Sequence, residues 1–210
     1  MDWRDGILIS FCANLSFKVL TYLLTLALIT LFSGGFTGFL FLLIPLGLDA
    51  WGAQLVRDNH AAFQEDVLEN LENECLAACG IGRKDPHYPF YEIAGAIDHW
   101  LLRKYKAEVR FSMMAPKEDA VVIAERRGRI FPLKRVFGRV AYNTEDAGTR
   151  DVFYADIVAV ELTGKSLTMT TAGGESVSYT GQGDKAAQAV EHLRARLRDF
   201  KSRRAQPAAN

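Results

Sequence analysis

The sequence predicts an α+β membrane protein, in which an N-terminal helical hairpin precedes a helical segment and a small antiparallel β-barrel capped by a helix. Three observations predict this class. About 30 uncharged residues lie between Lys18 and Asp49. Apolar residues then recur every four positions from Phe63 to Cys75, as on one side of a helix. After Ala107, short segments rich in β-branched and aromatic residues alternate with glycine-containing turns, which is typical of short strands.

The order of these segments predicts four regions. Residues 1–57 form the membrane hairpin and residues 58–106 form the helical segment. Residues 107–204 form the barrel with its C-terminal helix, and residues 205–210 form a disordered tail. The net charge is zero, but neutrality does not exclude local basic patches.

The uncharged run predicts two helical arms that reverse at Ser33-Gly34-Gly35, where glycine gives the backbone the freedom to turn. Each arm has about 14 residues and is about 21 Å long, whereas the hydrocarbon core is about 30 Å thick. The hairpin is therefore either transmembrane, with its helices extended past Lys18 and Asp49, or re-entrant.

Lys18 and Asp49 lie at nearly equal distances from the turn. They are candidates for an intramembrane ion pair, because an unpaired charge at depth is costly. The alternative is that both mark the membrane interface, with Lys18 extending its amine toward water. A proton or ion site is a third interpretation.

The flanking charges predict the orientation of the hairpin. Arg4 and Arg57 flank it, and its turn carries no charge. The positive-inside rule then places both termini in the cytoplasm, at a bacterial inner membrane. The start of the chain lacks the cationic region of a cleaved signal peptide, which predicts a retained anchor.

The helical segment is predicted to contain two helices. The first runs from Asp58 to Cys79, and Gly80 is a candidate C-terminal cap. Its acidic residues are interpreted as a solvated face. The second runs from Tyr91 to Lys106, where His99 is interpreted as structural.

Seven strands and one helix are predicted after Ala107. The strands are Val109–Met113, Ala120–Ala124, Ile130–Val136, Arg139–Asn143, Val152–Leu162, Ser166–Thr171 and Ser176–Tyr179. A turn is predicted at Asp146-Ala147-Gly148. The final helix runs from Asp184, a candidate N-cap, to about Arg203.

The stretch from Phe153 to Leu162, the strand Leu167–Thr170, the strand Val177–Tyr179 and the terminal helix together resemble the pleckstrin-homology-like (PH-like) fold. The likeness is greatest to bacterial PH-like domains that follow short membrane hairpins. The resemblance implies a barrel closed by one helix and a domain that binds a partner.

In PH-like domains, basic residues near an early hairpin can meet anionic head groups. The candidates for such lipid binding are Arg126, Arg127, Arg129, Lys134, Arg135 and Arg139. The alternative is that these charges only protect a strand edge from unwanted pairing.

No catalytic, cofactor or metal site is predicted. The sequence contains no GxxxxGK[ST], GxGxxG, GxSxG or HExxH motif. Cys75 and Cys79 are one helical turn apart, but no second Cys/His pair is spaced to complete a metal site. With Cys12 they make an odd count, which argues against a secreted disulfide scaffold.

These observations predict a non-enzymatic adaptor or scaffold that is anchored in the inner membrane and binds a protein partner. The alternative is a ligand-sensing effector, in which the barrel is coupled to a membrane-disrupting hairpin. The predicted partners are membrane lipids, a protein and a second copy of the chain, and no nucleic acid.

Overall fold

The computed structural model describes residues 7–8, 15–32, 43–94, 108–130, 134–136, 139–181 and 184–205. Its helices are α1 (Leu15–Phe32), α2 (Leu43–Asp58), α3 (His60–Cys79) and α4 (Lys185–Ala205). Its strands are β1 (Tyr88–Ala94), β2 (Glu108–Pro116), β3 (Ala120–Arg129), β4 (Lys134–Val136), β5 (Arg139–Ala141), β6 (Thr144–Phe153), β7 (Ile157–Thr163), β8 (Ser166–Thr171) and β9 (Ser176–Thr180).

The chain divides into two compact units, and the division falls inside α3. Unit 1 comprises residues 1–67, 94–108 and 129–143. Unit 2 comprises residues 68–93, 109–128 and 144–210.

Unit 1 contains α1, α2, the first part of α3 and a short hairpin of β4 and β5. The hairpin is antiparallel, and Val136 pairs with Arg139 at its tight end. In α2 the buried residues are small or polar, apart from Val56; they are Pro45, Asp49, Gly52, Ala53 and Val56. Large apolar side chains on α1 and α2 instead face outward.

Unit 2 consists of two sheets, α4 and the second part of α3. The first sheet has the strand order β1-β2-β3-β6, and the second has the order β7-β8-β9. Both sheets and α4 contribute to a single apolar cluster, which includes Ile123 of β3, Leu167 of β8 and Leu193 of α4. These three side chains are fully buried.

Helix α3 buries the residues that its four-residue repeat predicts. Phe63, Val67, Leu71 and Cys75 are all nearly inaccessible to solvent. The helix ends at Gly80, which has a φ of 64°, and the N–H of Ile81 donates to the carbonyl of Leu76. This is the hydrogen-bond pattern of a glycine C-cap, so the predicted cap is confirmed.

Strands β3 and β6 contain a β-bulge where the sequence predicts a turn. Glu125 pairs with Gly148 but Arg126 pairs with Asp146, so Ala147 is an extra residue on β6. The Asp146 carboxylate accepts hydrogen bonds from the N–H of Gly148 and from Arg126. The Asp-Ala-Gly sequence therefore stays inside the ladder, because glycine and aspartate serve a bulge as well as a turn.

No helix within the described ranges is long and apolar enough to cross a membrane. This finding contradicts the predicted transmembrane or re-entrant hairpin of an α+β membrane protein, and with it the inner-membrane localisation with cytoplasmic termini. The physical reason lies in the helices themselves. The 18 residues of α1 extend about 27 Å and include Lys18, and the 16 residues of α2 include Asp49.

The predicted closed barrel is also wrong. In the part of the chain that the structure describes, no hydrogen-bonded ladder joins the four-stranded sheet to the three-stranded sheet. The predicted single strand Val152–Leu162 is divided between β6 and β7, with a turn of three residues between them. That turn ends one sheet and begins the other, which leaves the two sheets separate.

The predicted helix from Tyr91 to Lys106 is wrong at its start, because Tyr91–Ala94 belongs to strand β1. The rest of that helix, with His99, lies outside the described residues. So do the turn at Ser33-Gly34-Gly35, residues 131–133, Cys12 and residues 206–210 of the predicted tail, whose first residue, Ala205, ends α4.

Gly148 is expected to be costly to replace, because its φ of 123° is strained for any residue with a side chain. A Cβ there would meet no atom within 4 Å, so only the backbone would be strained. We expect Gly148→Ala to lower the free energy of unfolding by about 1–3 kcal/mol in urea denaturation. Gly173→Ala, in a turn without a left-handed φ, is the matched control, and equal midpoints for the two variants would contradict this expectation.

Candidate functional site

Unit 2 contains a cavity of about 310 Å³ between the four-stranded sheet and strand β9. Residues of β1, β2, β3, β6 and β9 line it. Most of the lining is aromatic or charged, and its principal side chains are Phe90, Tyr91, Arg110, Phe111, Glu125, Arg126, Arg127 and Tyr179. We refer to this cavity and its lining as the cleft.

Three edge strands, β1, β6 and β9, contribute to the cleft. Strand β1 is hydrogen-bonded only to β2, and β9 only to β8, among the described strands. Each strand therefore has one edge without a strand partner. The cleft is lined by Phe90–Glu92 of β1 and Val177–Thr180 of β9, and the rings of Phe90 and Tyr179 lie 5.9 Å apart.

The hydroxyl of Tyr179 connects β9 to the other sheet. It donates to Glu125 Oε1 at 3.0 Å and accepts from Arg150 Nη2 at 2.6 Å. Glu125 and Arg150 also form an ion pair at 3.7 Å. Burial raises the pKa of Tyr179 to about 12, so the hydroxyl stays protonated and continues to donate at ordinary pH.

Aromatic residues of β1 and β2 line part of the cleft. The rings of Tyr91 and Phe111 are parallel within 1°, with centroids 6.5 Å apart. Phe90 and Phe111 are buried, whereas Tyr91 is partly exposed. Consecutive residues of a strand point to opposite faces of a sheet, so Phe90 and Tyr91 belong to different ring contacts: Phe90 lies against Tyr179 and Tyr91 against Phe111.

The arginines of the cleft differ in whether their charge is already paired within the chain. Arg126 Nη1 lies 2.5 Å from Asp146 Oδ1 and its side chain is only 10% exposed, so its charge is already paired inside the bulge. Arg110 and Arg127 are exposed, and neither has an ion-pair partner among the described residues. The exposed charges of the cleft are therefore these two cations and the carboxylate of Glu92.

The six predicted lipid-binding residues are divided between the two units. Arg126 and Arg127 belong to unit 2, whereas Arg129 and the positions 134, 135 and 139 belong to unit 1. Arg129 lies 3.9 Å from Glu108. Lys134, Arg135 and Arg139 are in β4 and β5, and their side chains lie outside the described part. A lipid site at these residues stays a prediction.

The structure brings Lys18 and Asp49 together. Lys18 Nζ lies 2.5 Å from Asp49 Oδ1, and the two side chains are 12% and 5% exposed. A charge pair so deeply buried in unit 1 holds α1 against α2, because removing either partner would leave the other charge without compensation.

Cys75 and Cys79 are free thiols. Cys75 Sγ donates to the carbonyl of Ala124 at 3.7 Å, and burial raises its pKa to about 12. Burial also raises the pKa of Cys79. Within the described residues, no three His, Cys, Asp or Glu side chains are placed to bind a metal ion. Both cysteines thus act as small apolar core residues.

Two of the predicted lipid-binding candidates, Arg126 and Arg127, line the cleft. The sequence predicts a helix at Tyr91 and no role for Tyr179 or for Arg150, which contacts it. The available signal is the alternation of polar and apolar residues along Ser176–Thr180, which places Val177 and Tyr179 on one face of β9. That signal identifies a face but not its partners.

Loss of the Tyr179 hydroxyl is expected to destabilise unit 2 moderately. In Tyr179→Phe, Glu125 and Arg150 keep their direct contact, so the free energy of unfolding should fall by about 0.5–1.5 kcal/mol. A double-mutant cycle with Arg150→Met measures the coupling between the two groups. Strictly additive losses would contradict the hydrogen bond between Tyr179 and Arg150.

The buried thiols are expected to resist alkylation. In a Cys12→Ser background at pH 8, iodoacetamide should modify Cys75 at least about 100-fold more slowly in the folded chain than in urea, because the thiolate is the reactive form. Fast native labelling would contradict the raised pKa.

The same cysteine predicts how stability depends on pH. The pKa of an ordinary cysteine thiol is 9.0, whereas the pKa of Cys75 in the folded chain is about 12. The unfolded chain therefore loses its thiol proton first, and Cys75 should make the free energy of unfolding decrease as the pH rises from about 9 toward 12. Cys75→Ala is the control, and it should remove this contribution.

The comparisons with known proteins identify no family. No protein-family model matches the chain, and no curated protein is found to be similar to it. The resemblance to PH-like domains accordingly stays a prediction.

Proposed function

We propose that unit 2 is a non-enzymatic adaptor module that binds an extended segment of a partner protein in the cleft. The observation that carries this proposal is the presence of two strand edges without partners, β1 and β9, at one cleft. An extended peptide can add to such an edge as a further strand, and its main chain then supplies the hydrogen bonds that the edge lacks.

The side chains that line the cleft favour particular residue types in the bound peptide. The partly exposed ring of Tyr91, which stacks on the buried Phe111, suits an apolar side chain of the peptide. The exposed cations of Arg110 and Arg127 outnumber the carboxylate of Glu92, which favours an acidic residue. In an extended strand, side chains at alternate positions face the same surface, so we expect apolar and acidic residues at alternate positions of the ligand.

The chemistry of the cleft supports binding rather than catalysis. Its described lining contains no His or Cys. Glu125, which could act as a base, already accepts from Tyr179 and pairs with Arg150. Two serines, Ser112 and Ser178, line the cleft, but neither has a hydrogen bond to a base among the described contacts, so the pairing needed for a nucleophile is not formed.

Selection of a displayed library of random peptides on the full chain tests this function. We expect enriched peptides to carry alternating apolar and acidic residues. Fluorescence anisotropy should then show that Arg110→Glu weakens the binding of the enriched peptide by at least about tenfold. Arg198→Glu, at an exposed position of α4 outside the cleft lining, is the matched control and should leave the affinity unchanged.

Backbone methylation of the peptide distinguishes strand addition from other modes. Methyl groups on alternate amide nitrogens remove donors while they keep the side chains, so binding should fall by at least about tenfold on one of the two alternating sets. The proposal is contradicted if no peptide is enriched, or if enriched peptides bind equally well to Arg110→Glu and to the unmodified chain.

A further inference from the structure

Helices α1 and α2 of unit 1 expose large apolar side chains and bury a charged pair. Eleven large apolar residues on these two helices are between 36% and 76% exposed. They are Val19, Leu20, Leu23, Leu24, Leu26, Leu28, Leu31, Leu43, Ile44, Leu48 and Trp51. We call this set the outer face. An amphipathic helix in water places such residues toward the core instead.

The opposite side of these helices carries the charged pair and several small or polar residues, together with Ile29, which is half-buried, and Val56, which is fully buried. Lys18 and Asp49 form their ion pair there. The hydroxyl of Thr25 donates a hydrogen bond to the carbonyl of Thr21 in the same helix, at 2.8 Å. On α2, the small residues Gly52 and Ala53 are buried. Rotating either helix to bury its leucines would separate the ion pair and leave buried charges. The outer face is therefore a fixed property of unit 1.

The outer face is large enough for a stable interface. At on the order of 100 Å² for each half-exposed residue of this size, its eleven members present roughly 1,000 Å² of surface, compared with about 800 Å² per partner in a standard protein interface. The largest apolar patch of an ordinary monomer is about 300–600 Å². The summed area is enough for an interface with one partner.

We propose that the outer face binds the outer face of a second copy of the chain, which forms a symmetric dimer. Apart from the buried Lys18 and Asp49, α1 and the part of α2 before Arg57 contain no charged residue, so the surface around the outer face lacks the charge pattern with which an interface selects a different protein. An uncharged apolar surface is complementary to itself. A two-fold axis allows the same patch on both subunits to satisfy this complementarity in one closed contact.

Sedimentation equilibrium of the full chain in detergent-free buffer tests the dimer. We expect twice the chain mass. The paired change Leu20→Glu and Leu24→Glu should raise the dimer dissociation constant by at least about 100-fold, because each glutamate would be buried opposite its copy. Val158→Glu is the matched control, since Val158 is 62% exposed on β7 in unit 2, and it should not change the dissociation constant.

A milder pair, Leu23→Ser with Leu28→Ser, serves if the glutamates prevent folding, and circular dichroism verifies the helices of each variant. The proposal is overturned if the wild-type chain is a monomer at every concentration, or if its dimer tolerates both pairs of changes. It is also overturned if the monomeric chain binds vesicles of phosphatidylcholine and phosphatidylglycerol through Leu20 and Leu24, because lipid would then occupy the outer face.

Discussion

Helix α4 packs one apolar side against both sheets of unit 2, and the arrangement of that unit depends on this packing. Ala189 and Leu193 are fully buried in the same cluster as Ile123 of one sheet and Leu167 of the other. Burying one leucine-sized side chain is worth about 1.5–3 kcal/mol. Neither sheet, with three or four strands, could shield its apolar face alone. Side-chain packing against α4 therefore holds the two sheets together, whereas in a closed barrel continuous hydrogen bonding between strands would do so.

This mode of assembly explains why a cleft exists. Because the core holds the sheets, β1 and β9 need not pair, and each keeps one edge without a strand partner in the described structure. Exposed edges invite unwanted association. Here the hydroxyl of Tyr179 connects β9 to Glu125 of β3 and Arg150 of β6, and because these contacts run through side chains they use no main-chain group of β1 or β9. The binding proposed for the cleft uses the groups that the core does not need.

The sequence correctly predicts an element when neighbouring residues alone identify it. It does not predict contacts between residues that are far apart in the chain. The four-residue repeat from Phe63 to Cys75 identifies α3, and its buried side is confirmed. Tyr91–Ala94 reads as a helix from its own apolar spacing, but it is a strand in the structure, where it pairs with β2. The Tyr179 contacts could not be predicted, because Glu125 and Arg150 are 54 and 29 residues away in sequence.

Helices α1 and α2 show a second limit of prediction from sequence. A count of uncharged residues between Lys18 and Asp49 measures how apolar the segment is, but it does not tell which side of each helix faces inward. The two charges decide that question. Each is costly to bury alone, and breaking such a pair costs about 3–5 kcal/mol, so both must face the same interior. Their pairing at 2.5 Å fixes the rotation of α1 and α2, and the leucines between them then have only the outside to occupy. One lysine and one aspartate thereby determine that unit 1 presents an apolar surface, and the dimer proposed for it follows from their pairing as much as from the leucines.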